Sequence, residues 1–190
     1  VLPVLVTTSF ILMCSDRIRL QWERAASTDY LTGLPNRRTL AHHAEKLFSA
    51  ASRLCSPLTV AIFDIDDFKR INDTYGHDVG DQALQHIADI LSAGAGTGTM
   101  VARTGGEEFV MLFDICPDDR IEELRQAVAA TPFKIDRASI PITVSVGVAT
   151  YSAEDREFSD LLRRADRALY TAKSGGRNRV ETSGIMAASV

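Results

Sequence analysis

An α+β fold, a mixed central β-sheet flanked by helices, is what the order of apolar patterns in this chain predicts. Three observations carry that expectation. Short apolar runs are interleaved with longer amphipathic stretches. Two of the runs, Met100–Arg103 and Glu107–Phe113, are joined tightly around Gly105-Gly106, which makes them an antiparallel hairpin within an otherwise helix-connected order. The length of 190 residues suits one domain with a sizeable core and leaves little room for a second.

The elements follow in chain order. Residues 1–14 carry no charge and are mostly apolar. The run is short of the roughly 20 residues that span a bilayer. It also lacks the basic leader and small-residue cleavage site of a signal peptide. It is read as the end of a transmembrane helix, with Asp16, Arg17 and Arg19 marking exit into the cytoplasm; an ordinary buried segment is the alternative. Residues 15–28 read as a helical stalk, with Ile18, Trp22 and Ala25 on one face, suited to pairing with a second copy or to packing on its own domain.

Asp29–Asn36 is a turn punctuated by Gly33 and Pro35, and a helix is predicted from Arg37 to Arg53. Leu58–Asp64 is β-branched and apolar, the pattern of a central strand. Asp66 is expected to cap a short helix that breaks near Asn72–Gly76, with a longer helix from Val79 to about Leu91. The Gly-, Ala- and Thr-rich stretch Ser92–Thr99 reads as a loop before the hairpin. A helix near Asp118–Ala130, strands around Ile142–Tyr151, an amphipathic helix Phe158–Ala172, an edge strand Arg177–Glu181 and a frayed tail 182–190 complete the chain.

Lys and Arg total 21 against 25 Asp and Glu, a formal charge of −4 that argues against a generally basic nucleic-acid binder. Cys14, Cys55 and Cys116 form no CxxC pair, so neither a disulfide scaffold nor a structural zinc site is expected.

The chemistry concentrates in acids. Asp64 ends an otherwise apolar strand, and Glu107 and Glu108 follow the double glycine. If the two strands are neighbours, Asp64 faces a glutamate across the sheet. Partly buried carboxylates held together without a counterion cost several kcal/mol, and a divalent cation such as Mg²⁺ removes that cost through oxygen ligands. The competing reading makes Asp64 and Asp66 helix caps and the glutamates solvated hairpin tips. Gly105 and Gly106 permit a sharp turn and close approach of backbone to a ligand.

Four segments, DYLTGLPNRR (Asp29–Arg38), FDIDDFKRINDTYGHDVGD (Phe63–Asp81), ARTGGEEF (Ala102–Phe109) and ADRALYTAKSGGRN (Ala165–Asn178), resemble the GGDEF family, the diguanylate cyclases. The likeness runs from about Thr28 to Glu181, so residues 29–181 are taken as the catalytic domain. The resemblance implies a sheet like the palm of nucleotidyl cyclases and polymerases. It also implies condensation of two GTP molecules into cyclic di-GMP with release of two pyrophosphates.

Carried over by position, Asp64, the carbonyl of Ile65, Glu107 and Glu108 match the metal-site groups, with Glu107 and Asp64 as the catalytic acids. The cofactor implied is Mg²⁺, with Mn²⁺ as alternative, two ions per half-site. Asn72 and Asp81 match the pair that reads guanine, where complementary hydrogen bonds can reject analogues by about 10⁴–10⁵. His77 and Phe68 match substrate-site positions together with Gly105 and Gly106, while Lys69, Lys173 and Arg177 match phosphate contacts. Taken singly, Asp81 could be a helix cap, His77 a structural turn residue and each cation a solvated surface charge. Many members carry an Arg-x-x-Asp product-binding motif before the hairpin; Gly96 and Thr99 stand at those positions here. A homodimer formed through the stalk and facing half-sites is implied, attached to the inner membrane through the preceding segment. The alternatives are a non-catalytic GTP-binding module and a one-nucleotide cyclase or polymerase-like palm.

Overall fold

β1 (Thr59–Ile65) is buried at every position, which explains its mostly apolar run: helices cover both faces of the sheet around it. The computed structural model describes residues 27–54, 56–114, 119–135 and 138–183. The apolar segment 1–14, the stalk up to residue 26, the three cysteines and residues 184–190 lie outside them. No described helix is long and apolar enough to cross a membrane.

Helix α1 (Arg37–Leu54) precedes β1, with Leu40, Ala44, Phe48 and Ala51 buried along one stripe. It starts where Asn36 Oδ1 accepts the N–H groups of Arg38 and Thr39, both at 3.1 Å. After β1 come α2 (Phe68–Tyr75) and α3 (His77–Gly94), then the hairpin strands β2 (Thr99–Gly105) and β3 (Glu108–Phe113). Helix α4 (Arg120–Ala130), strands β4 (Phe133–Ile135), β5 (Ala138–Ile140) and β6 (Val144–Thr150), helix α5 (Phe158–Ser174) and strand β7 (Val180–Thr182) follow.

The main sheet has the order β2-β3-β1-β6-β7. All neighbours are antiparallel except β6 and β7, so the sheet is mixed and the α+β class holds. Alternation along β1 divides the core. Ala61, Phe63 and Ile65 pack among residues of α2, α3 and α4, whereas Val60 and Ile62 pack with α1 and α5. A Cβ on Gly147 would collide with the backbone of Ala165 and Leu169, so glycine there lets α5 lie directly on β6.

Several boundaries differ from the sequence expectation. The three residues 92–94 continue α3 instead of opening a loop. The β4–β5 hairpin was not anticipated, its strands being three residues each and too short for a periodicity to register. Asp66 does not cap α2: Asp67 occupies the N-cap, in left-handed backbone at φ 53°, and makes no side-chain cap bond. Nor does Asp81 cap α3, whose N-cap is Gly76.

Candidate functional site

The acids meet at one end of the sheet. Asp64 stands opposite Glu108 on β3 and opposite Ser145 on β6. Period-two counting puts Asp64 on the face of Val60 and Ile62, and Glu108 on that of Val110 and Leu112, so both acids share the α1/α5 side. Because α5 lies close on β6, its last turn brings Lys173 Nζ within 2.8 Å of Asp64 Oδ2. Asp64 is only 9% exposed. Burial pushes its carboxyl above the usual carboxylate range; Lys173 opposes the shift, while the charges of Glu107 and Glu108 add to it.

Glu107 occupies the turn between β2 and β3. Gly105 and Gly106 have φ of 142° and 54°, and a Cβ on either would meet nothing within 4 Å. Backbone conformation, not crowding, therefore requires glycine there. The turn is tied down from both sides. Ile65 N–H donates to the Glu107 carbonyl at 3.3 Å, and Arg103 donates twice to the Gly106 carbonyl, at 3.1 and 2.8 Å, and once to Asp29 at 3.0 Å. Thr104 Oγ1 donates to Glu108 Oε1 at 2.5 Å. Beneath the hairpin lies a cleft of about 700 Å³, lined among others by Arg37, Ile62, Thr104, Glu108 and Phe158.

Among the described residues no three Asp, Glu, His or Cys side chains converge tightly enough to hold a metal ion. Lys173 holds Asp64 and Thr104 holds Glu108. The donor chemistry nonetheless fits a hard cation, since every candidate ligand is oxygen. A nearly buried carboxylate held above its normal range also has an unmet demand for positive charge.

The predicted base readers lie on α2 and α3. The Asn72 side chain sits directly over Gly80, where a Cβ would collide with its Oδ1 and crowd the Phe68 ring. Gly80 thus lets α2 and α3 approach and brings Asn72 beside the turn that carries Asp81. Nothing in the pattern of the chain marked Gly80 beyond its place in GHDVGD. The Phe68 side chain is 7% exposed and belongs to the core. Only its backbone, in the uncapped first turn of α2, remains available to a ligand. Lys69 and His77 are exposed on α2 and at the start of α3.

Arg177 follows α5 and lies 3.5 Å from Asp67 at the N-terminus of α2. Lys173 and Arg177 therefore flank the same corner as Asp64 and the α2 N-terminus. At the product-motif positions, the Arg120 side chain fills the space over Gly96, and Thr99 opens β2.

With this geometry in place, the relatives can be compared. The family model described as "Diguanylate cyclase, GGDEF domain" matches residues 26–179. The chain is 38% identical over 164 residues to the response regulator PleD of Caulobacter vibrioides, covering 82% of this chain and 36% of that protein. It thus spans about a third of that relative's length. The coiled-coil and GGDEF-domain structure of DgcB from Caulobacter crescentus, in complex with c-di-GMP, superposes with a TM-score of 0.84 at 32% identity, covering 93% of this chain and 95% of that one. The active GGEEF domain of a diguanylate cyclase from Vibrio cholerae gives a TM-score of 0.74 at 35% identity, covering 79% and 97%. Motif, fold and match agree over the same span: the chain belongs to the GGDEF-domain family of diguanylate cyclases.

Proposed function

We propose that this domain joins two GTP molecules into cyclic di-GMP, releasing two pyrophosphates. The observation that carries the reading is the corner where nearly buried Asp64, opposite Glu108 and beside Glu107, meets Lys173, Arg177 and the uncapped start of α2. Acids that demand a cation and cations that demand an anion stand side by side, as a metal–triphosphate complex requires.

Asp64, Glu107, Glu108 and the Ile65 carbonyl would hold Mg²⁺, two ions per half-site. When bound, the ions supply neutralisation of the triphosphate and acidification of the attacking 3′-hydroxyl. Lys173 would exchange its carboxylate for phosphate oxygens, and Arg177 would offer its fork to the same group. Backbone N–H groups at the start of α2 point positive dipole ends at that corner. Asn72 and Asp81 would read guanine, Asp81 accepting from the ring N–H and exocyclic amine. Each protomer holds one nucleotide, so the bond forms between two facing protomers, and the stalk sets their separation. Attachment to a membrane through residues 1–14 belongs to the same proposal.

The present engagement of Asp64 by Lys173 and of Glu108 by Thr104 favours one second reading, a domain that binds GTP without turning it over. Incubating the purified dimer with GTP and Mg²⁺ and separating the products by chromatography decides. Cyclic di-GMP supports catalysis; unchanged GTP from a confirmed dimer supports the binding module; cyclic GMP overturns both.

A further inference from the structure

We propose that Asp66 is a positioning residue that pins the turn presenting Arg177 to the nucleotide phosphates, and that it acts through hydrogen-bond geometry, not charge. The ligand assigned to Arg177 rests on the function proposed above; the pinning of the turn does not.

Asp66 is the second acid of the DxD at the end of β1, and neither helix capping nor the acid cluster absorbs it. Both of its oxygens are engaged. Oδ1 accepts from Ser145 Oγ at 2.6 Å, and Oδ2 accepts from Thr143 Oγ1 at 2.7 Å and from the Asn178 N–H at 3.1 Å. Its own N–H donates to the Thr143 carbonyl at 2.9 Å. Two donors belong to β6 or the residue before it, so the carboxylate is fixed to the sheet. The third belongs to a turn 112 residues further along the chain.

That turn needs outside support. Gly176, Arg177 and Asn178 have φ of 112°, 60° and 47°. Two consecutive non-glycine residues in the left-handed region persist only where surrounding contacts hold them. Arg177 N–H donates to the Ala172 carbonyl at 3.0 Å. Asn178 is held at both ends: its N–H by Asp66, and its Oδ1 by Arg125 at 2.5 Å. Arg125 is itself fixed by two bonds to Glu122, at 2.8 and 2.6 Å. The Arg177 side chain is half-exposed and only 3.5 Å from Asp67, so its backbone is clamped while its guanidinium stays able to reach a ligand.

An amide can replace this carboxylate. With its oxygen at the Oδ2 position and its NH₂ at Oδ1, Asn would accept from Thr143 and Asn178 and donate to the Ser145 hydroxyl. A metal-binding carboxylate would not tolerate the exchange. In the full chain, Asp66→Ala is expected to raise KM for GTP about tenfold with kcat within about threefold. The double variant with Arg177→Ala should be no worse than Arg177→Ala by itself. Asp66→Asn should bring KM back to within about twofold of the parent. A second readout needs no turnover: amide hydrogen exchange at Asn178 should quicken about tenfold in Asp66→Ala, beyond any change at amides elsewhere in the domain. Should Asp66→Ala fail to fold, Thr143→Val carries the same tests at about threefold amplitude.

Equal damage from Asn and Ala, additive losses in the double variant, or unaltered exchange at Asn178 would overturn the proposal. A parent protein that makes no cyclic di-GMP sinks the proposed function instead, and the exchange result still decides what Asp66 does.

Discussion

Two carboxylate–cation pairs flank the β2–β3 hairpin, and they behave in opposite ways. Asp29 meets Arg103 at 3.0 Å, with side-chain exposures of 17% and 10%. Asp64 meets Lys173 at 2.8 Å, with exposures of 13% and 38%. Burial would raise the carboxyl of Asp29, yet the Thr32 hydroxyl and N–H together with Arg103 override it and hold it below the usual range. Burial dominates at Asp64, where one ammonium is set against two neighbouring acids, and its carboxyl is pushed up. Distance to the cation is nearly the same. Deeper burial with a single donor raises the one, and shallower burial with several donors lowers the other. Asp29 is a finished structural tether; Asp64 is a site left short of positive charge.

The sharpest way to break this contrast is to neutralise each acid. Asp64→Asn and Glu107→Gln are expected to cut cyclic di-GMP formation by about 10³-fold while the melting temperature of Asp64→Asn stays level or rises. Near-normal activity in either variant would end the assigned role. Asp29→Ala should do the reverse. It leaves Arg103 without its carboxylate partner and costs about 1–3 kcal/mol of stability, roughly 2–4 °C of Tm for each kcal/mol, readable by calorimetry.

Arg103→Lys is a smaller change. A single ammonium cannot reproduce the fork that bonds Asp29 and twice the Gly106 carbonyl. It is expected to cost about 1 kcal/mol, and an unchanged Tm would show that the fork contributes nothing.

The gentlest probe is pH, and the two acids should diverge. The folded-state pKa of Asp29 is lowered, so its contribution is present above the unfolded value of about 3.9 and is lost as pH falls through the lowered one. The Tm deficit of Asp29→Asn should therefore shrink in acid. The folded-state pKa of Asp64 is raised, so the favourable protonated form is fully present below about 3.9 and is lost as pH rises through the raised value. The Tm advantage of Asp64→Asn should be absent in acid and grow toward neutrality. Parallel curves for the two variants would erase the distinction.

Much of the acidic corner was legible because its signals are local. An acid closing an apolar strand and a double glycine before two glutamates are neighbours in the chain, and the Asp64–Glu108 pairing follows once the two runs are taken as adjacent strands. Asp66 was misread for the same reason. Capping is the commonplace local use of an aspartate after a strand, whereas its actual partners Thr143, Ser145 and Asn178 lie 77 to 112 residues away. That the Phe68 ring fills the core beside Gly80 was not legible either, because the glycine that admits it lies twelve residues on.

By itself the sequence determined which chemical groups this protein has and which of them neighbour one another along a strand or turn. Backbone stereochemistry and side-chain alternation act over a few residues and leave direct marks in the pattern. Only the tertiary structure decided which cation meets which acid, which helix lies against Asn72, and what braces the left-handed turn at Arg177. Those contacts join segments separated by most of the chain, and close packing, to which no short stretch of sequence is privy, selects among them.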